Sequence, residues 1–127
     1  MKFLPTLLFI FLFTHCTKEK TEEKNELMPL QKVESVTTAT VNSTINFSVY
    51  WYYFNGCQNL RNFEVVANGN NFIINPYAVV VPATSICTQD VGVKTTIYAY
   101  TPTATGTYTF QFKSRDAQVF TRTIIVN

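Results

Sequence analysis

Histidine and carboxylate side chains carry most enzyme chemistry, and few of them in this sequence are placed to cooperate. The 127 residues include one histidine, His15, which lies in the N-terminal leader considered below. The acids after residue 35 are Glu64, Asp90 and Asp116, each 26 residues from the next, so there is no local carboxylate pair. Ser-His-Asp triads, Cys-His pairs and His-ligated zinc all need an imidazole. We therefore predict no catalytic residues, no metal site and no cofactor.

Motifs for other ligands are also missing from the sequence. There is no glycine-rich phosphate loop and no Gly-x-Ser-x-Gly, and the Asn68-Gly69-Asn70-Asn71 cluster lacks an acidic partner for calcium. Charged residues make up 14% of the chain and the net charge is +2. This composition lacks the strongly basic character of a nucleic-acid binder, so we predict no nucleic-acid partner.

The N-terminus has the pattern of a bacterial secretion signal. Lys2 supplies a positive charge, and residues 3–13 form an apolar run of eleven. Eleven helical residues would span about 16 Å, well short of a bilayer, so the run indicates a signal peptide instead of a transmembrane helix. The first alanine is Ala39, so the leader has no Ala-x-Ala cleavage site. Cys16 lies three residues after the end of the apolar run.

A cysteine at the end of a short apolar run resembles the signal of bacterial lipoproteins, although Phe13 and His15 replace the usual leucine and small residue. The resemblance implies that residues 1–15 are a lipoprotein signal peptide and that Cys16 is lipidated. It also implies an outer membrane lipoprotein of the bacterial cell envelope, held to the membrane by a lipid anchor. A secreted protein with an unmodified Cys16 is the alternative.

A charged segment follows the cysteine. Nine of residues 17–34 are charged, against eight of the 93 residues that come after them, so we place a boundary near Val33. Pairs of glutamates, and one pair of lysines, lie four residues apart, where their like charges would repel each other in a helix. We therefore predict a flexible tether over residues 16–32 and a folded domain over residues 33–127.

The start of this tether resembles the surface-export signal of Bacteroidota lipoproteins. In those signals a lysine and acidic residues follow the lipidated cysteine, as in Cys16-Thr17-Lys18-Glu19 with Glu22 and Glu23 here. The resemblance implies display on the cell surface, and a periplasmic domain on a charged tether is the alternative.

The cysteine count agrees with lipidation. The chain has three cysteines, and an odd number in an exported protein needs an explanation. Lipidation of Cys16 leaves Cys57 and Cys87 as a pair, which would close a loop of about 30 residues. A reactive thiol pair is the alternative, but the spacing is not Cys-x-x-Cys and no basic cluster adjoins either cysteine. We predict a structural disulfide.

The composition of residues 33–127 predicts an all-β fold. Threonine, valine and isoleucine account for 35 of these 95 residues, and only one leucine is present. Alternating apolar and polar residues, separated by turn signals, predict about seven or eight short strands. We expect a single antiparallel β-sandwich. The predicted strands lie at 36–41, 45–53, 63–67, 72–74, 78–81, 94–101, 108–113 and 120–126.

The segment 103–110 looks like the tyrosine corner of immunoglobulin-like domains. There, Gly106-Thr107-Tyr108 leads into an alternating strand. The resemblance implies an immunoglobulin-like sandwich in which Tyr108 caps a backbone group. Phe110 stands where that family has a cysteine, so the usual inter-sheet disulfide is absent. An ordinary strand aromatic at position 108 is the alternative.

Five aromatic residues in a row occupy positions 50–54. Because strand side chains alternate, Trp51 and Tyr53 on the inside would leave Tyr50 and Tyr52 facing out. Exposed tyrosines could bind a glycan or a protein, so they form a candidate ligand surface. Cross-strand pairing that shields the sheet is the alternative.

Three interpretations of function follow from these patterns. The first is an anchored envelope lipoprotein that displays a non-catalytic binding module for a protein or a glycan. The second is a secreted or periplasmic enzyme inhibitor, such as a protease inhibitor, which would use projecting loops with apolar tips. The third is a hydrolase, which would need acids brought together by folding.

Overall fold

The structure is a computed structural model that describes residues 25–127. Within that range the chain forms eight strands and no helix, as the β-branched composition predicts. The strands are β1 (Leu30–Glu34), β2 (Thr38–Ala39), β3 (Ile45–Tyr53), β4 (Leu60–Asn68), β5 (Asn71–Ala78), β6 (Gly92–Tyr100), β7 (Gly106–Lys113) and β8 (Val119–Val126).

The strands form two sheets, which confirms the predicted all-β sandwich. One sheet has the order β1-β3-β6 and the other the order β2-β8-β7-β5-β4. Most strand pairs are antiparallel, as predicted, but β5 runs parallel to β7 and β2 runs parallel to β8. After β3 the chain crosses to the outer edge of the second sheet as β4. A hairpin at Gly69 (φ 60°) then inserts β5 between β4 and β7. Immunoglobulin folds have two antiparallel sheets, so β5 departs from that pattern.

Aromatic rings fill the space between the sheets. Phe47 of β3 contacts Phe110 and Phe112 of β7, with ring centroids 4.6 and 5.4 Å apart. Phe72 of β5 stacks on Phe110 at 4.9 Å, and Tyr98 of β6 lies 5.9 Å from Phe47. Alternate residues of β3 and β7 face this core, as the sequence predicts, and each buried ring removes a large apolar area from water.

The folded part begins upstream of the predicted boundary at residue 33. Met28 and Leu30 are almost completely buried, and β1 pairs with β3 from Leu30 onward. The Met28 amide donates to the Pro76 carbonyl at 2.9 Å. Residues 26–32 of the predicted tether are therefore part of the domain. The predicted leader, Cys16 and the tether up to residue 24 lie outside the described residues.

Two of the predicted strands differ most from the structure. Only Thr38–Ala39 of the segment 36–41 pairs, and residues 78–81 do not form a separate strand, because β5 continues through Pro76. The Pro76 carbonyl accepts a bond from Met28, on the side away from β4. The N–H and C=O of a strand residue point to the same side of the strand. An N–H on residue 76 would therefore also point away from β4, so proline at this position costs no hydrogen bond between β4 and β5.

The predicted disulfide between Cys57 and Cys87 is confirmed, with Cα atoms 5.4 Å apart. It joins the β3–β4 connection to the β5–β6 connection. It closes a loop with a sequence separation of 30, so it removes conformational freedom from the unfolded chain.

Replacing both cysteines of this bridge, Cys57→Ser with Cys87→Ser, should lower the free energy of unfolding by about 3–4 kcal/mol. Urea unfolding followed by circular dichroism measures the change. Ser85→Ala in the same connection is the control and should leave stability within about 0.5 kcal/mol. A double variant as stable as the parent would contradict the role of the bridge.

Tyr108 makes the contact expected of a tyrosine corner. Its ring is buried, and its hydroxyl donates to the Ala104 carbonyl at 2.8 Å. Gly106, between them, has φ 148°, and a Cβ there would lie 3.1 Å from the Asn70 side chain. The bond fixes the β6–β7 connection to the start of β7.

Tyr108→Phe removes this bond while keeping the ring, and should lower the free energy of unfolding by about 1 kcal/mol. Tyr52→Phe, on the exposed face of β3, is the matched control and should leave the free energy of unfolding unchanged. Equal denaturation midpoints for the two variants would exclude a stabilising role for the corner.

Candidate binding site at the disulfide end

Four segments meet at one end of the sandwich, which we call the disulfide end. They are residues 25–29, the β3–β4 connection 54–59, the β5–β6 connection 79–91 and the β7–β8 connection 114–118. The chain also enters the sandwich here, because the Ala78 amide donates to the Glu26 carbonyl at 2.8 Å.

Hydrogen bonds and the disulfide hold two of these connections together. Beside Cys57–Cys87, the Gly56 amide donates to the Thr88 carbonyl at 2.8 Å. A Cβ on residue 56 would lie 2.0 Å from the Thr88 Oγ1, so this close approach requires glycine. The β5–β6 connection is long, with 13 residues, and these contacts hold its C-terminal half in place.

A cleft of about 190 Å³ opens at this end. Trp51 and Tyr52 of β3 line it, together with Met28 and the aliphatic residues 79–81. The Glu26–Arg115 ion pair, 2.9 Å between Oε1 and Nη2, also borders it. Small-molecule sites usually occupy at least about 300 Å³, so this cleft has room for little more than one protruding side chain.

Among the connections between strands, those of the disulfide end carry most of the exposed large apolar side chains. Among the described residues, the two linked connections carry five large ones, and the connections of the opposite end carry one, Val36. Ile86 is fully exposed beside Cys87, and residues 79–89 contain no charged side chain. Several exposed apolar side chains in the connections of one end are typical of a contact surface. The five are Phe54, Val79, Val80, Ile86 and Val91.

The two tyrosines of the predicted ligand surface have different surroundings. The Tyr50 hydroxyl donates to Glu34 at 3.2 Å, and the Lys32 ammonium lies 4.4 Å from the centre of its ring. Lys32 and Tyr50 both hydrogen-bond the Glu34 carboxylate and lower its pKa. Tyr50 therefore matches the alternative of cross-strand pairing. Tyr52 is exposed and lines the cleft.

Lys94 contacts two residues that line the cleft, Trp51 and Gln58. It points inward from β6, with its ammonium 5.5 Å from the centre of the Trp51 ring and 4.7 Å from that of Tyr53. It donates to the Gln58 carbonyl at 3.2 Å, and the Trp51 Nε1 donates to Thr96 at 3.1 Å. The sequence analysis did not single out Lys94. The signal in the sequence was its position on β6, where it shares the inward face with Tyr98 and Tyr100. Burial raises the pKa of both tyrosines.

The acids that a hydrolase would need lie on three different elements. Glu64 on β4 accepts a bond from Asn75 at 3.4 Å, and Asp116 in the β7–β8 connection accepts one from the Gln118 amide at 3.3 Å. Asp90 accepts a bond from the Tyr53 hydroxyl at 3.3 Å. Burial, together with the Asp90 charge, raises the Tyr53 pKa.

No group of three or more His, Cys, Asp or Glu side chains within residues 25–127 could hold a metal ion. No helix within this range is long and apolar enough to cross a bilayer.

Comparison with known proteins identifies the fold family. A family model described as the ORF11 beta-sandwich domain matches residues 47–124, which is 78 of the 127 residues. Neither the curated proteins nor the solved structures give a match. The matched range runs from β3 to β8 and includes both linked connections and the Tyr108 corner. The chain therefore belongs to the ORF11 β-sandwich domain family.

Proposed function

We propose that this protein is a bacterial cell-envelope lipoprotein, anchored in the outer membrane through Cys16, that displays a non-catalytic binding module. The disulfide end is the proposed binding surface. The observation that carries this proposal is the combination of the cleft at Trp51 and Tyr52 with the cluster of exposed apolar side chains in the two linked connections.

The cysteine arrangement supports the lipid anchor. Cys57 and Cys87 are bonded to each other, so Cys16 is the remaining cysteine. Lipidation would account for an odd thiol in an oxidising compartment. The lysine and glutamates after Cys16 support surface display, because they resemble the export signal of Bacteroidota lipoproteins.

The chemistry of the cleft favours a protein partner over a glycan. Sugar recognition by stacking needs exposed aromatic faces. Lys32 covers the Tyr50 ring, and Tyr52 and Phe54 are the aromatic side chains that stay exposed at this end. The cleft is small, and aliphatic and aromatic side chains share its lining with polar groups, including the ion pair at its border. These features suit one apolar side chain of a protein partner, held in a pocket beside a polar contact.

A second candidate function is enzyme inhibition, and Ile86 is the observation that favours it. Its side chain projects fully into solvent beside a disulfide. A loop that is already rigid loses little entropy on entering an enzyme cleft, which is an advantage for an inhibitor.

The anchor is tested by Cys16→Ser in the full-length chain expressed in its native host. We expect the variant to leave the membrane fraction and appear in the soluble fraction, because the thioether to lipid cannot form. Immunoblots of both fractions provide the measurement. The double variant of Cys57 and Cys87, which affects the fold and spares the anchor, should stay with the membrane. Retention of Cys16→Ser would count against lipidation.

The binding surface is tested with a displayed peptide library and a glycan array, each probed with the chain that begins at Cys16. We expect the selected peptides to share one bulky apolar residue. Val80→Asp should weaken their binding at least about tenfold, because it places a charge beside the cleft. Ile97→Asp, on the exposed face of β6, is the control and should bind normally. Binding by glycans alone would overturn the preference for a protein.

A further inference from the structure

We propose that the tip of the β5–β6 connection, residues 82–86, contacts the lipid surface to which the protein is anchored, so that the disulfide end faces the membrane. This inference rests on the proposed lipidation of Cys16. It adds an orientation and a second contact to the proposed function. Residues 82–86 meet the lipid, and the cleft at Trp51 and Tyr52, which these residues do not line, stays the proposed site for a protein partner.

The place where the chain enters the sandwich is the first argument. Asn25 hydrogen-bonds Arg61 at the start of β4, and the Glu26 carbonyl bonds the end of β5, so both lie at the disulfide end. Nine peptide units separate Cys16 from Asn25, and they span at most about 32 Å when fully extended.

The dimensions of the sandwich give the second argument. Strands of nine residues, such as β3 and β6, are about 30 Å long. If the opposite end faced the lipid, Asn25 would lie about one strand length above the membrane surface. The chain from Cys16 would then have to be almost fully extended. With the disulfide end toward the lipid, no such extension is needed.

The chemistry of the tip is the third argument. Ile86 is fully exposed, and the stretch Pro82-Ala83-Thr84-Ser85 before it carries no charge. Val91, also exposed, belongs to the same connection. Aliphatic side chains with hydroxyls beside them suit the boundary between headgroups and acyl chains.

The charges at this end nearly balance, so the contact does not depend on anionic lipid. Seven charged residues lie in or beside the four segments, and four of them are cations. We therefore expect zwitterionic vesicles to suffice and added salt to have little effect. The seven are Glu26, Arg61, Asp90, Lys94, Lys113, Arg115 and Asp116.

Attachment of Cys16 to a membrane can be reproduced chemically, without lipidation by the cell. This separates the test of orientation from the test of the anchor. The Cys57–Cys87 bridge leaves Cys16 as the free thiol of the chain that begins at Cys16. This thiol is coupled to a maleimide lipid in phosphatidylcholine vesicles with brominated acyl chains. Bromine quenches tryptophan fluorescence only at short range.

Two matched variants report which end meets the lipid. Ile86→Trp places a tryptophan at the tip, and Ile125→Trp places one at an exposed site near the opposite end of β8. Signal from Trp51 is subtracted with the parent protein. We expect the Ile86→Trp fluorescence to fall at least about twofold in brominated vesicles and the Ile125→Trp fluorescence to stay unchanged.

Three outcomes would overturn the orientation: equal quenching of both variants, stronger quenching of Ile125→Trp, or no quenching of either once coupling is complete. Absent quenching, together with protease inhibition that Ile86→Asp abolishes, would assign the tip to an enzyme cleft. Quenching as expected, with Cys16→Ser still retained on native membranes, would support the lipid contact and reject native lipidation.

Discussion

Residues 26–30 determine where this domain begins, and the rest of the architecture at the disulfide end depends on them. Beyond Ile74 the ladder between β5 and β7 ends, and the N-terminal segment takes the place beside β5. Its backbone bonds β5 through Pro76 and Ala78 and bonds β3 at Tyr52, so it links the two sheets. Met28 then fills the gap between them. Without this segment, the carbonyl of Pro76 and the amide of Tyr52 would lose their partners.

The core was predictable because alternation in a strand is a local property. Ile45, Phe47, Val49 and Trp51 fall on one face whatever β3 pairs with, and Tyr108, Phe110 and Phe112 do the same on β7. The order of the strands is a non-local property. The parallel pairing of β5 with β7 depends on the crossing of β4 to the far edge, and no spacing in the sequence encodes that crossing. β1 was missed because charged residues and a proline surround its few buried positions.

The candidate site was predictable only in part, and for a similar reason. Parity of the cysteines predicted the disulfide, and strand alternation correctly put Tyr50 and Tyr52 on the outer face. Which tyrosine remains available depends on β1, since its Lys32 and Glu34 cover Tyr50. The cleft needs residues from four separate segments. A pattern read along the chain does not show that these segments meet, although the uncharged stretch 79–89 is visible in the sequence.

The free edges of the two sheets explain why recognition is expected at an end of the sandwich. β4 and β6 are nine-residue edge strands, and such edges readily pair with other chains. In β6 the inward Lys94 opposes the addition of a strand, since a new neighbour would disturb its contacts with Trp51 and Gln58. In β4 the irregular pairing near Leu60 and the charge of Glu64 act similarly. Pairing through these edges is thereby disfavoured, which leaves the connections at the disulfide end as the candidate contact surface.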